Sequence, residues 1–223
     1  GVAPRCFLCS NGSISEVDPY QKPEVLHDDP GSRAMTDRYV PVQQAIFPGA
    51  FNPIHHGHLR IIEIAREKLN LPVRIELSVH NCDKLELDFL EIAKRLRLFR
   101  QTAPDLEVYV SNVPRFFEKA AFFGPVEFIV GADTLSRIVQ KAYYNLDDSA
   151  VDRAMGQIIK TNCRFLIFCR RNENEVVTMT SLPLPPRFRS LCEEIPADDF
   201  LDDISSTRER HDQAPAPEDP FAC

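Results

Sequence analysis

Residues 49 to 58, with the sequence Gly-Ala-Phe-Asn-Pro-Ile-His-His-Gly-His, hold three of the six histidines of the chain. His55 and His58 are three positions apart, so both imidazoles can point into the mouth of one loop. Gly49 allows the backbone to approach a ligand closely, and Pro53 stiffens the loop. Imidazole N–H groups in such a place can donate hydrogen bonds to a polyphosphate.

The flanking sequence predicts a strand before this loop and a helix after it. An apolar run at 43–48 precedes the loop, and apolar residues then recur at helical spacing from Leu59 to Leu69. Such a junction is where α/β folds hold phosphate groups. Two other interpretations stay open. One is a zinc site, which would require a further ligand cluster that the nearby sequence lacks, and the other is a polar loop with a structural role only.

Strands alternate with helices along the rest of the chain. The predicted strands are 43–48, 73–79, 106–110, 126–130 and 164–169. The predicted helices are 57–69, 88–99, 114–122, 134–142 and 149–160. This alternation predicts a doubly wound α/β fold, in which a parallel five-stranded sheet carries helices on both faces.

Three polar segments directly follow predicted strands: the loop at 49–58, the loop at 80–84, which contains Asn-Cys-Asp-Lys, and the segment at 131–134, with the sequence Gly-Ala-Asp-Thr. Ligands bind doubly wound sheets beyond the carboxyl ends of the strands, at the point where the strand order reverses. We therefore expect the three segments to form one site.

Domain organisation follows from composition. Residues 42–210 are predicted to form one domain of ordinary size. Residues 1–41 are rich in Pro, Asp and Ser and show little periodicity, which predicts an extended N-terminal tail or linker. Residues 211–223 are Pro-rich, and we expect a disordered C-terminal tail there.

Charge and apolar content exclude several classes of protein. The net charge of −7 argues against broad nucleic-acid binding, although a local positive loop can still bind a small anion. No apolar run reaches 18 residues, so we expect no membrane span. Residues 1–20 lack the long apolar core of a signal peptide, and we expect a cytoplasmic protein.

The seven cysteines give weaker signals. Cys163 and Cys169 flank an apolar run and are predicted to be small core residues. Cys6 and Cys9 form a single Cys-x-x-Cys, which is a weak metal or redox signal without a second pair.

A second phosphate-binding candidate lies at 204–210, with the sequence Ile-Ser-Ser-Thr-Arg-Glu-Arg. Hydroxyls and backbone amides at a helix start bind phosphate, and an arginine can donate two hydrogen bonds to it. The alternative is an ordinary N-cap at Ser205 or Ser206. The presence of the 49–58 loop in the same chain favours phosphate binding.

The two motifs fit Gly-x-Phe-x-Pro-x-His-x-Gly-His and Ile-Ser-Ser-Thr-x-x-Arg, and so the chain resembles the nucleotidylyltransferase superfamily. Its members transfer AMP or CMP from a nucleoside triphosphate, and its fold is Rossmann-like. Residues 130–210 are further similar to a cytidylyltransferase-like branch resembling nicotinamide or nicotinate mononucleotide adenylyltransferases. The chain has Asn52 where many relatives have aspartate, and it has almost no helix-forming sequence after Arg210.

The resemblance implies roles for individual residues. The implied catalytic residues are His55, His58, Lys84 and Arg210. The implied ATP-binding residues are Gly49, Ala50, Phe51, Gly57, Ser205, Ser206 and Thr207. The implied acceptor-binding residues are Gly131, Asp133, Thr134 and Arg137. Two alternatives remain. Asp133 or Thr134 could instead cap a helix. Arg95 or Arg97, on the helix after Lys84, could help bind phosphate, or Arg95 could form a surface ion pair with Glu91.

The implied reaction is transfer of AMP from ATP to the phosphate of nicotinamide or nicotinate mononucleotide, with release of pyrophosphate, a step of NAD biosynthesis. Mg²⁺ would bridge the ATP phosphates with water as most of its remaining shell, so no protein metal site is expected. The expected partners are ATP and a phosphorylated small-molecule acceptor. The alternatives are a cytidylyltransferase, a phosphopantetheine-type adenylyltransferase and a nucleotide-binding module without catalytic activity.

Overall fold

The computed structural model describes residues 3–19, 41–79, 89–140, 148–171 and 176–196. The strands are β1 Cys6–Ser10, β2 Ser13–Glu16, β3 Ala45–Gly49, β4 Val73–Ser78, β5 Val108–Ser111, β6 Glu127–Gly131, β7 Arg164–Phe168, β8 Arg170–Arg171, β9 Val176–Val177 and β10 Cys192–Ile195. The helices are α1 His56–Leu69, α2 Phe89–Thr102, α3 Phe116–Phe123, α4 Ala132–Val139, α5 Asp148–Lys160 and α6 Pro186–Arg189, with a 3₁₀ turn at Met179–Ser181.

One large sheet organises these elements, with the strand order β10-β7-β6-β3-β4-β5-β1-β2. The strands from β10 to β5 are parallel, whereas β1 and β2 are antiparallel to their neighbours. A short antiparallel ribbon, β8 with β9, lies apart from this sheet. The parallel α/β sheet expected from the sequence is confirmed, and its five predicted strands correspond to β3 through β7.

The sheet has more strands than the five predicted. β10 extends one edge beside β7, and the hairpin of β1 and β2 extends the other beside β5. The hairpin lies within the segment that composition favoured as an extended tail. Its two-residue turn, Asn11-Gly12, has positive φ at both residues, as the tight turns of β-hairpins require.

The two faces of the sheet carry separate hydrophobic clusters. Ile46, Phe128 and Phe165 point to the face covered by α3, α4, α5 and α6. Phe47 and Ile75 point to the opposite face, which is covered by α1 and α2. Because successive side chains of a strand point to opposite faces, β3, β6 and β7 are apolar on both sides. The predicted placement of helices on both faces is therefore confirmed.

The cysteines occupy the core. Cys163 and Cys169 are buried, as predicted. Cys6 and Cys9 are also buried, but Cys6 packs in one cluster and Cys9 in the other. A spacing of three on a strand directs the two thiols to opposite faces, so Cys-x-x-Cys cannot bind one metal ion here. Burial raises the pKa of Cys6 to about 12, which keeps it a thiol.

A buried ion pair ties α3 to the sheet. Lys119 Nζ lies 2.8 and 2.7 Å from the two carboxylate oxygens of Glu76, and both side chains are almost fully buried. Lys119 also donates to the Val113 carbonyl oxygen at 2.6 Å, and Ser111 Oγ donates to Glu76 Oε1 at 2.5 Å. The pair therefore fixes the chain where β5 leads into α3. No described helix is long and apolar enough to cross a bilayer.

This ion pair predicts a specific response to mutation. Lys119→Met leaves the Glu76 carboxylate buried without its partner, and we expect the free energy of unfolding to fall by about 3 to 5 kcal/mol in urea denaturation. The double variant Glu76→Gln/Lys119→Met removes both charges and should regain much of that loss. A double variant no more stable than Lys119→Met would contradict this account.

Candidate active site

The loop at 49–58 leaves the sheet where the strand order reverses. From β3 the chain moves through β4 to β5 on one side, and then returns to β6 on the other side. Ligands of doubly wound sheets bind in the crevice that such a reversal opens at the carboxyl ends of the strands. β3 ends at Gly49, so the loop begins in this crevice.

Phe51 shapes the first part of the loop. Its backbone is left-handed, with φ of 44°, and the following Asn52–Pro53 peptide is cis. Its buried ring makes edge contacts with Phe47, Phe99 and His58, at centroid distances of 5.2, 5.5 and 4.9 Å. The ring also lies over Gly49, where an added Cβ would be 2.7 Å from it. Gly49 is thus required by the packing of Phe51.

His55 and His58 stack on each other at the start of α1, with ring centroids 3.7 Å apart. The backbone N–H of His55 donates to Nδ1 of His58 at 3.2 Å. Nδ1 of the neutral His58 ring therefore carries no proton, and the ring N–H is on Nε2. The stacked pair offers a hydrogen-bond donor without needing to be charged.

His55 and His58 lie at the N-terminus of a helix, which determines the electrostatic potential around them. α1 begins at His56, and the backbone N–H groups of His58 and Leu59 both donate to the His55 carbonyl oxygen. The first turn contains no acidic residue. Since helix N-termini carry partial positive charge, this turn favours an anion. Gly57 is buried within the turn, and His56 is exposed.

The pKa of His58 is lowered to about 3, mainly by burial and further by the nearby His55. Both effects disfavour the imidazolium form. His58 is therefore neutral at physiological pH and can donate from Nε2.

The segment 131–134 ends the neighbouring strand. β3 and β6 pair in parallel with Ile46 opposite Phe128, so Gly49 and Gly131 both lie three residues further, at the same edge of the sheet. Gly131 is the N-cap of α4, and Asp133 lies in the first turn of that helix. The alternative in which Asp133 or Thr134 is the N-cap is therefore wrong. Arg137 is in the last turn of α4.

Arg95 contacts the loop directly. Its guanidinium Nη1 donates to the Ala50 carbonyl oxygen at 2.7 Å, and its Nη2 lies 3.6 Å from a carboxylate oxygen of Glu91. From the sequence, we expected Arg95 either to bind phosphate or to form a surface ion pair. The ion pair is present, but the arginine is buried and contacts the backbone of residue 50. No side-chain pattern in a sequence reveals a backbone acceptor 45 residues away.

The remaining predicted site residues, Lys84, Ser205, Ser206, Thr207 and Arg210, lie outside the described residues. Within the described ranges, no group of three or more His, Cys, Asp or Glu side chains is placed to hold a metal ion. The zinc interpretation of the 49–58 loop thus gains no support from that part of the chain.

The requirement for Gly49 can be tested by thermal denaturation. Gly49→Ala places a Cβ against the buried Phe51 ring, so we expect a melting temperature lower by several degrees. The matched control is Gly131→Ala, because Gly131 has an ordinary φ and no atom within 4 Å of an added Cβ. Equal melting temperatures for the two variants would be inconsistent with this packing.

The lowered pKa of His58 predicts how stability depends on pH. The pKa falls from the ordinary 6.5 to about 3 in the folded state, so the unfolded chain binds the proton more readily. The stabilisation is complete above about pH 6.5 and is lost as the pH falls toward 3. His58→Asn, whose amide oxygen can still accept from the His55 N–H, should therefore lose less stability than the wild type between pH 7 and 5. An NMR signal of the wild-type His58 ring that titrates between pH 5 and 8 would contradict the assignment.

Comparisons with known proteins add the following. The family model described as cytidylyltransferase-like matches residues 46–211. No curated protein sequence matches the chain significantly. Among solved structures, the chain is similar to the Plasmodium falciparum nicotinic acid mononucleotide adenylyltransferase complexed with NaAD, with 15% sequence identity and a TM-score of 0.46. That match covers 77% of this chain and 83% of the other.

Proposed function

Because its family match spans most of its length, the chain belongs to the cytidylyltransferase-like family of nucleotidylyltransferases, and we propose that it is an adenylyltransferase. In this proposal it transfers AMP from ATP to the phosphate of nicotinamide or nicotinate mononucleotide. The observation that carries the proposal is the stacked pair of His55 and His58 at the N-terminus of α1, in the crevice where the strand order reverses.

The proposed reaction is a single in-line displacement. An oxygen of the acceptor phosphate attacks the α-phosphorus of ATP, and the bond from that phosphorus to the bridging oxygen of pyrophosphate breaks. The electron pair of that bond leaves with pyrophosphate. Such a transfer depends on positioning and on stabilisation of the charge that develops, with no covalent intermediate on the protein.

The histidines supply donors where this charge develops. Nε2 of His58 donates to a phosphate oxygen, and the neutral ring needs no proton from solvent to do so. His55 stacks on it and adds a second imidazole at the helix N-terminus. Preorganised donors of this kind are worth more in a site that excludes water than in solution.

Further residues complete the proposed ATP site. Gly49, Ala50 and Phe51 form the loop beside the triphosphate, and Gly57 lies in the first turn of α1. The resemblance assigns the β- and γ-phosphates to 205–210, where Ser205, Ser206, Thr207 and Arg210 would bind them. It assigns a neutralising charge to Lys84.

Mg²⁺ belongs to this proposal as the counterion of ATP. Since no described cluster of acidic or imidazole side chains could hold the ion, phosphate oxygens and water would supply most of its ligands. When bound, the ion neutralises phosphate charge. The protein orients the phosphates through backbone amides and imidazoles.

The acceptor is proposed to lie against the start of α4. Gly131 leaves open space beside the strand end, and the Asp133 carboxylate can accept hydrogen bonds from ribose hydroxyls or from an amide. Thr134 and Arg137 follow on the same helix. The choice of a pyridine mononucleotide as acceptor is supported by the resemblance of residues 130–210 to the corresponding branch.

The assay for this proposal measures pyrophosphate release from ATP and Mg²⁺, with each mononucleotide offered separately. Since loss of one donor to a developing charge slows catalysis by about 100- to 1000-fold, we expect His58→Ala to lower kcat by that factor. The matched control is His56→Ala, which changes the exposed histidine of the same motif and should leave kcat within about twofold.

Other outcomes have distinct meanings. Normal turnover in His58→Ala would refute the role of the pair. Release only with CTP, or only with phosphopantetheine as acceptor, would replace the proposed substrates. Binding of ATP without pyrophosphate release from any acceptor would instead favour a nucleotide-binding module.

A further inference from the structure

We propose that Arg95 is a positioning residue, which fixes the Ala50 carbonyl so that the loop presents the Phe51 backbone amide to the triphosphate. This inference rests on the proposed function, since it takes ATP as the ligand of the loop. Arg95 itself contacts no reacting atom in this proposal.

The contact between Arg95 and Ala50 is short and buried. Nη1 lies 2.7 Å from the carbonyl oxygen, and only 7% of the arginine side chain is exposed. Hydrogen bonds from a charged donor are stronger than neutral ones. The second amino group, Nη2, is directed toward Glu91 at 3.6 Å. The planar guanidinium therefore has a defined orientation on α2.

A buried arginine is costly unless its charge is matched by specific acceptors. If the position only needed to be filled, an apolar side chain such as leucine would pack there at lower cost. The acceptor that the arginine does contact is a backbone carbonyl of the phosphate-binding loop. We therefore infer that the charged guanidinium serves to hold that peptide group in one orientation.

Because a peptide group is planar, the contact that holds the Ala50 carbonyl also fixes the direction of the next backbone N–H. The carbonyl of residue 50 and the N–H of residue 51 belong to one trans peptide, in which they point in opposite directions. With the carbonyl held toward Arg95, the Phe51 N–H points to the other side of the loop. It donates to no described backbone carbonyl. A backbone N–H at this place suits a phosphate oxygen.

A second contact from α2 supports the same loop. Phe99 is one turn after Arg95, and its ring packs on the ring of Phe51 at 5.5 Å. Phe51 in turn contacts His58 at 4.9 Å. α2 thus holds the loop at both residues 50 and 51, and a loss of the first contact would loosen the burial of His58.

The test compares three substitutions on α2. Arg95→Leu removes the donor, and Arg95→Lys keeps the charge but loses the planar fork. The matched control is Arg100→Leu, at an exposed position five residues further along the helix. Calorimetric titration with ATP and Mg²⁺ should give a dissociation constant about tenfold higher for Arg95→Leu, an intermediate value for Arg95→Lys and the wild-type value for the control.

A second readout needs no ligand and separates positioning from general stability. NMR titration of the His58 ring should give a pKa closer to the ordinary value in Arg95→Leu, because the loop covers the ring less completely. The control should keep the wild-type pKa even if its melting temperature changes.

The other outcomes distinguish failure of the positioning role of Arg95 from failure of the proposed function. Wild-type ATP affinity in Arg95→Leu, with weakened binding in His58→Ala, overturns the positioning role and leaves the proposed function intact. A wild-type protein that does not bind ATP refutes the proposed function and with it the presentation of the amide to ATP. If Arg95→Leu does not fold, Arg95→Lys decides, and wild-type values in both readouts overturn the proposal.

Discussion

The parallel pairing of β3 between β4 and β6 is the constraint on which the rest of the structure depends. It places the end of a buried central strand at the reversal of strand order, where two loops diverge to opposite faces. Gly49 and Gly131 reach the same edge because the register of these strands fixes how far each extends. The location of the candidate site is therefore a property of the sheet.

The loop after β3 has little freedom once this strand is placed. The ring of Phe51 fills the space above Gly49, and α2 holds the loop from the outside through Arg95 and Phe99. His55 and His58 then follow at the first residues of α1. Rigidity is useful for phosphoryl transfer, because donors that are already aligned need not reorganise during the reaction.

Much of the fold was predictable because local pattern and burial agree. β3, β5, β6 and β7 are mainly apolar, β4 alternates apolar and polar residues, and the helices between these strands show clear helical spacing. β10, with the sequence Cys-Glu-Glu-Ile, was missed because two of its four residues are charged. The hairpin of β1 and β2 was missed because proline-rich composition outweighed the Asn11-Gly12 turn, which is itself a strong hairpin signal.

The polar contacts were harder to predict than the strands. Apolar and polar residues alternate along β4, but helices cover both faces of the sheet, so the Glu76 carboxylate needs the ammonium of Lys119, 43 residues away. Arg95 likewise has a backbone carbonyl as its acceptor. The histidine motif was identifiable because its residues are adjacent in sequence. Contacts between distant residues become visible only when the chain is folded.

The hairpin of β1 and β2, at the edge of the sheet beside β5, limits where the chain can be cut into fragments. β1 pairs with β5 about one hundred residues later, with Phe7 opposite Val110, and so covers a strand of sequence Val-Tyr-Val-Ser. A fragment beginning at residue 42 would leave that strand as an unprotected edge, open to pairing with other molecules. The first residues of the chain therefore protect the domain against aggregation, a role that neither their composition nor their distance from the loop would suggest.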